Sequence, residues 1–119
     1  MKRISILGTE YVIEIHKVSE DNFLRDNNYA GYCCEESKLI VVADMSEKEY
    51  FPNMSEKEQE NYKKRILRHE LIHAFLNESG LSDSASVPSC SWAKYEEMVD
   101  WIAIQLPKIL NACKELGCI

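Results

Sequence analysis

Residues 65–80 read RILRHELIHAFLNESG, and the organisation of the chain follows from how this run is read. Two of the three histidines, His69 and His73, stand four residues apart in an otherwise apolar stretch. On an α-helix, residues i and i+4 share one face, one turn apart. The flanks supply both ends of such a helix. Ser55 with Glu58 three residues on forms a capping box, in which the serine oxygen accepts the Glu58 N–H and Glu58 reaches back to Ser55. Glu56 and Glu58 also suit the positive end of the helix dipole. Gly80 can take the left-handed conformation that stops a helix. These signals predict a helix of about 24 residues, roughly 36 Å long, between Ser55 and Gly80.

Upstream, the pattern changes to strands. ISILGTEYVIEIHKV (4–18) has two β-rich arms around Gly8-Thr9, and Tyr11, Ile13 and Ile15 alternate with more polar neighbours. SEDNFLRDNNYAG (19–31) is rich in turn formers and reads as a loop or a short irregular helix. GYCCEESKLIVVAD (31–44) reads as a hairpin: Gly31 to Cys34, a polar turn at Glu35-Glu36-Ser37, then a buried strand from Lys38 to Ala43. SEKE occurs at Ser46 and again at Ser55, but two short copies do not define a repeat unit. Downstream, LSDSASVPSCS (81–91) is small and polar, a loop. Residues 92–117 carry Met98, Ile102, Leu106, Ile109 and Leu110 at helical spacing, with Gly117 at the end. Pro107 within that run predicts a kink or break between Ala103 and Pro107. Strands followed by two helices predict one α+β domain over residues 1–119. Its short, mostly antiparallel sheet should pack one face against the histidine helix and a C-terminal helix.

At 119 residues, with 45% hydrophobic and 29% charged content, the chain can bury a core without cross-links. A formal net charge of −6 disfavours binding to phosphate backbones, so no nucleic-acid partner is expected. The apolar start of the N-terminus is broken by Gly8, Thr9 and Glu10, unlike a signal peptide. No run approaches a membrane-spanning length. Five cysteines (33, 34, 90, 113 and 118) without a CxxC pair suggest reduced, packing thiols and a cytoplasmic location.

HELIH is HExxH, comprising His69, Glu70 and His73. Two imidazoles one turn apart can converge on one Zn²⁺, and Glu70 can reach a water held by that ion as a general base. A catalytic zinc needs a third protein ligand. The HExxHxxGxxH continuation is absent, because Leu76 and Ser79 stand where it needs glycine and histidine. His16 is the one histidine left. The other solution is a glutamate on a later helix, and KYEEMVDW (94–101) offers Glu96, with Asp100 one turn on. In this pairing Glu96 ligates the metal and Asp100 accepts the remaining N–H of a ligand imidazole, fixing its tautomer. Glu97 is the rival, turned about 100° away and leaving Asp100 at i+3; Glu96 is the better match. Standing alone, these three acidic residues would read as a solvated helix face.

HELIH followed by E-x-x-x-D on the next helix resembles the gluzincin pattern of thermolysin-like peptidases. The short length, with strands ahead of HExxH, is similar to the minimal zincins and especially to ImmA/IrrE-type metallopeptidases. Their E-x-x-[AVN]-[ND] motif is satisfied by Glu96-Glu97-Met98-Val99-Asp100. Residues 65–110 also look like small zincins encoded in phages and prophages of low-GC Gram-positive bacteria. The resemblance implies a zincin-like domain with Zn²⁺ on His69, His73 and Glu96, Glu70 as general base, and the strand before the HExxH helix beside the substrate. No histidine or tyrosine stands out as oxyanion stabiliser, Tyr95 and His16 being the candidates.

The resulting expectation is a zinc-dependent peptidase acting through Glu-assisted attack of a zinc-held water on a peptide or protein substrate. That substrate is either one partner protein or a broader class, lying extended along the edge strand near Gly31 to Cys34. Two alternatives remain: a non-catalytic zinc-binding or protein-interaction domain of phage origin, and a zinc amidase on a non-peptide substrate. Cys90 is also a candidate for a fourth, inhibitory ligand.

Overall fold

The computed structural model describes residues 1–81 and 92–119. Residues 82–91, most of the loop expected above and with it Cys90, lie outside the described residues.

The chain begins with a hairpin of β1 (Lys2–Ile6) and β2 (Thr9–His16). Leu7 and Gly8 form the two-residue turn, with φ of 50° and 91°. Positive φ at both positions marks the primed turn whose twist matches that of paired strands. A short 3₁₀ turn (Val18–Glu20) then leads into α1 (Asn22–Asn27). Asp21 caps α1 by accepting the Leu24 N–H at 3.0 Å, and Asn28 closes it at φ 55°. The second hairpin pairs β3 (Gly31–Cys34) with β4 (Leu39–Ala43).

The strand order is β1-β2-β4-β3. The pairs β1–β2 and β3–β4 are antiparallel, while β2 and β4 run parallel, with Ile13 opposite Ile40. The sheet is therefore mixed, with a parallel seam at its centre. β4 is LIVVA, and Ile40 to Ala43 are fully buried. An unbroken apolar strand presents side chains on both faces and needs cover on both. On one face Ile6, Tyr11, Ile13, Cys33 and Ile40 meet Leu67, Leu71 and Ala74 of α2 (Glu56–Glu78). On the other, Leu39, Val41, Ala43 and Tyr32 pack with Val18, Leu24, Tyr50 and Phe51. Helical cover on a single face was expected; the second layer, from α1 and the segment around Phe51, is the difference.

α2 starts where its cap predicts. Ser55 Oγ accepts the Glu58 N–H at 3.2 Å and donates to Glu58 Oε1 at 2.9 Å. The helix stops at Glu78, with Gly80 at φ 80°. After a 3₁₀ turn (Trp92–Lys94), α3 (Glu96–Glu115) packs chiefly on α2 rather than on the sheet. Its buried residues are Val99 and Ala103. Of the kink or break expected at Pro107, the break is absent: α3 continues through it. No helix among the described residues is long and apolar enough to cross a membrane.

Candidate metal centre

The middle of α2 faces the first turns of α3, and the two helices bring four polar side chains to one point. His69 Nε2 lies 3.0 Å from His73 Nε2. The Glu96 carboxylate lies against both, with Oε2 at 3.0 Å from His69 Nε2 and Oε1 at 3.1 Å from His73 Nε2. With Glu96 Oε2 as the third corner, His69 Nε2 and His73 Nε2 complete a triangle with sides of 3.0, 3.0 and 3.4 Å. Ligands of a tetrahedral zinc at 2.0–2.1 Å are about 3.3 Å apart, so the triangle is close to one face of such a shell.

The protonation pattern suits a cation at that point. His69 Nδ1 lies 2.8 Å from Asp100 Oδ1. Nε2 also faces a carboxylate, that of Glu96, so a cation held between them would take the Nε2 lone pair and leave Nδ1 to donate to Asp100. His73 is pushed below its ordinary pKa mainly by burial; the nearby Glu96 charge offsets part of this and His69 adds to it. The shift is toward the neutral form, the form in which an imidazole binds a metal.

Glu70 sits beneath the triangle, its Oε1 4.0 Å from His69 Nε2. It is the buried carboxylate of the group, 6% exposed. Burial, then the negative charges of Glu96 and Asp100, push its pKa up to about 8. A cation among the carboxylates would remove that repulsion. His69, Glu70 and His73 are the described residues whose spacing allows them to hold one ion, and Glu96 closes on the same two imidazoles.

Gly31 explains how β3 comes so near. A Cβ at this position would stand 2.6 Å from Ile66 Cγ2, 2.9 Å from the Val41 carbonyl oxygen and 3.5 Å from Glu70 Cγ. Only a residue without a side chain lets β3 lie against α2 beside Glu70.

Beside this group runs an open cleft of about 880 Å³, floored by β3 and walled by α2, with Lys94, Glu96 and Asp100 at its far side. β3 is an edge strand. Ala43 N–H bonds Ala30 O at 2.8 Å, and bonded and unbonded pairs alternate along an antiparallel ladder. Tyr32 and Cys34 therefore turn their backbone groups to β4, and Gly31 and Cys33 turn theirs to the open edge. Phe23, Tyr29 and Tyr32 line the same cleft, Phe23 meeting Tyr29 and Tyr32 with ring centroids 5.7 and 4.9 Å apart.

The other sequence candidates lie elsewhere. Glu97 is exposed and does not line the cleft. Tyr95, 59% exposed, is the residue before α3 and is also outside the cleft lining. His16 holds Asp21 through Nδ1 at 2.6 Å and Glu14 through Nε2 at 2.9 Å, outside the lining of the cleft beside His69 and His73. Cys33, Cys34, Cys113 and Cys118 are free thiols. Two residues that shape the site were not singled out in the sequence. Gly31 read only as the start of a hairpin, with nothing local to show its close approach. Arg68, whose Nε–H donates to the Ala103 carbonyl of α3 at 2.6 Å, had a signal, since a proline inside α3 leaves a carbonyl that needs a donor from another element.

Comparison of the chain with protein-family models, with curated proteins and with solved structures found no match.

Proposed function

We propose that this protein is a zinc-dependent peptidase. The observation that carries the reading is the 3.0–3.4 Å triangle of His69 Nε2, His73 Nε2 and Glu96 Oε2, with the Glu70 carboxylate beside it. Two imidazoles and one carboxylate are the donor set of a catalytic zinc that keeps one position free. A zinc ion held there would supply Lewis acidity toward a carbonyl oxygen and lower the pKa of a bound water.

The chain's own residues do the rest. Asp100 holds the His69 ring in the tautomer that presents Nε2. Glu70 takes the proton from the attacking water and delivers it to the leaving amine. Gly31 and Cys33 offer backbone N–H and C=O groups on a free strand edge, so an extended peptide can add to the sheet there. The strand next before α2 in sequence is β4, which is interior; the edge available to substrate is β3. The cleft argues against a closed structural zinc, whose four protein ligands would leave no side open.

Metal analysis of the purified protein is expected to give about one zinc per chain. Glu70→Gln should keep that zinc and lower peptide cleavage by at least about a hundredfold, the low end of general-base contributions. Cleavage that survives Glu70→Gln removes Glu70 from its role; protein that takes up no zinc removes the reading altogether.

A further inference from the structure

Pro107 stands inside α3 and carries no N–H. The Ala103 carbonyl, four residues earlier, therefore loses its helical donor, and the proline ring crowds that same oxygen. Ala103 is wholly buried, and a buried carbonyl without a donor is unfavourable. The donor here comes from the other helix: Arg68 Nε–H reaches Ala103 O at 2.6 Å. This is a short bond from a charged donor, which places it among the stronger ones.

Its position gives it a second consequence. Ala103 follows Glu96 by seven residues and Asp100 by three, so all three share one face of α3. Arg68 directly precedes His69. Three polar links thus tie α3 to α2: Glu96 to both imidazoles, Asp100 to His69, and Ala103 O to Arg68. The last is the one made through backbone, so it fixes the helix itself rather than a side chain. A rotation of α3 by one residue, about 100°, would carry Glu96 off the histidines and bring Glu97 round.

We propose that Arg68 is a positioning residue: by donating to the carbonyl that Pro107 frees, it sets the rotation and rise of α3 on α2 and so holds Glu96 and Asp100 against the histidine pair. This rests on the zinc reading above.

Three variants separate positioning from mere satisfaction of a buried carbonyl. Arg68→Met keeps much of the length and removes the donor. Arg68→Gln places an amide nitrogen the same number of bonds from the backbone as the arginine Nε. Arg68→Met with Pro107→Ala returns an N–H to the Ala103 carbonyl from within α3 but leaves the helices untied. Zinc Kd, by competition with a chromophoric chelator, and thermal midpoint are measured for each beside the parent protein. Arg68→Met is expected to weaken zinc binding by about tenfold to a hundredfold, the range for groups that orient ligands, and to lower the midpoint. Arg68→Gln should hold Kd near the parent value. The double variant should regain the midpoint but not the affinity. Affinity that returns together with the midpoint in the double variant overturns the proposal, as does parent-like affinity in a folded Arg68→Met. If the parent protein itself binds no zinc, the reading beneath the proposal fails, and the proposal with it.

Discussion

His69 is the residue on which most of the site's geometry converges. Its two ring nitrogens face two different carboxylates, Nδ1 toward Asp100 and Nε2 toward Glu96. With a cation on the Nε2 side, the first contact would hold the proton on Nδ1 and the second would share the cation. Asp100→Ala removes the first and leaves every proposed ligand in place. Zinc affinity is expected to fall by about tenfold to a hundredfold, read by chelator competition, while the stoichiometry at saturating zinc stays near one. An unchanged Kd would mean that the His69 tautomer is set by something other than Asp100. This pairing was legible in the sequence, because i+4 spacing on each helix is a local rule. The pose of His16 was not: its partner Asp21 lies five residues on, beyond the end of β2, and strand periodicity says nothing about it.

Among the elements, β3 and α3 depart most from simple pattern. β3 is four residues long and owes its place to one missing side chain. Gly31→Ala would set a methyl group 2.9 Å from the Val41 carbonyl oxygen, which is backbone and can yield little, and 2.6 Å from a methyl of Ile66. Overpacking of this kind destabilises by about 1–3 kcal/mol. Urea denaturation should show that loss, and cleavage should fall by more than stability alone explains, because Glu70 Cγ lies next to the same position. Equal urea midpoints for Gly31→Ala and the parent would refute the close-approach argument. α3 teaches a different lesson. Its apolar spacing and both helix ends in α2 could be read from sequence; of the kink or break that Pro107 predicts, the break is absent. Propensity describes a helix alone, and a tertiary donor, Arg68, met the carbonyl that the proline had freed.

At the scale of the molecule, the α+β class and the strand–helix order were legible, because hydrophobic period changes from two to 3.6 along the chain. The parallel contact between β2 and β4 was not, since pairing between distant strands leaves no local mark. Glu78 shows how such distant pieces are held. From the last turn of α2 its Oε1 accepts the Lys38 Nζ at 2.6 Å and the Tyr11 hydroxyl at 2.8 Å, joining the helix to both hairpins. The Lys38 bond, then those of Tyr11 and Thr9, pull its pKa down to about 2. The folded value lies below the ordinary 4.5, so the network stabilises the protein above about pH 4.5. That stabilisation is lost as pH falls from there toward 2. The stability of Glu78→Gln, followed by denaturation at a series of pH values, is expected to decline less steeply over this window than that of the parent. Parallel curves would show that the network contributes nothing to acid sensitivity.

The parallel seam also bears on the order of assembly. β1–β2 and β3–β4 are each closed by a short local turn, and only the β2–β4 ladder, with Ile13 beside Ile40, joins one hairpin to the other. Closing it means bringing together segments 27 residues apart in the chain (40 − 13 = 27), and contacts between distant residues slow folding. Of the three ladders, the parallel one thus spans the longest stretch of chain and costs the most loop-closure entropy. The open edge beside the His69–His73 cluster belongs to the second hairpin, and this ladder is what pairs that hairpin with the first.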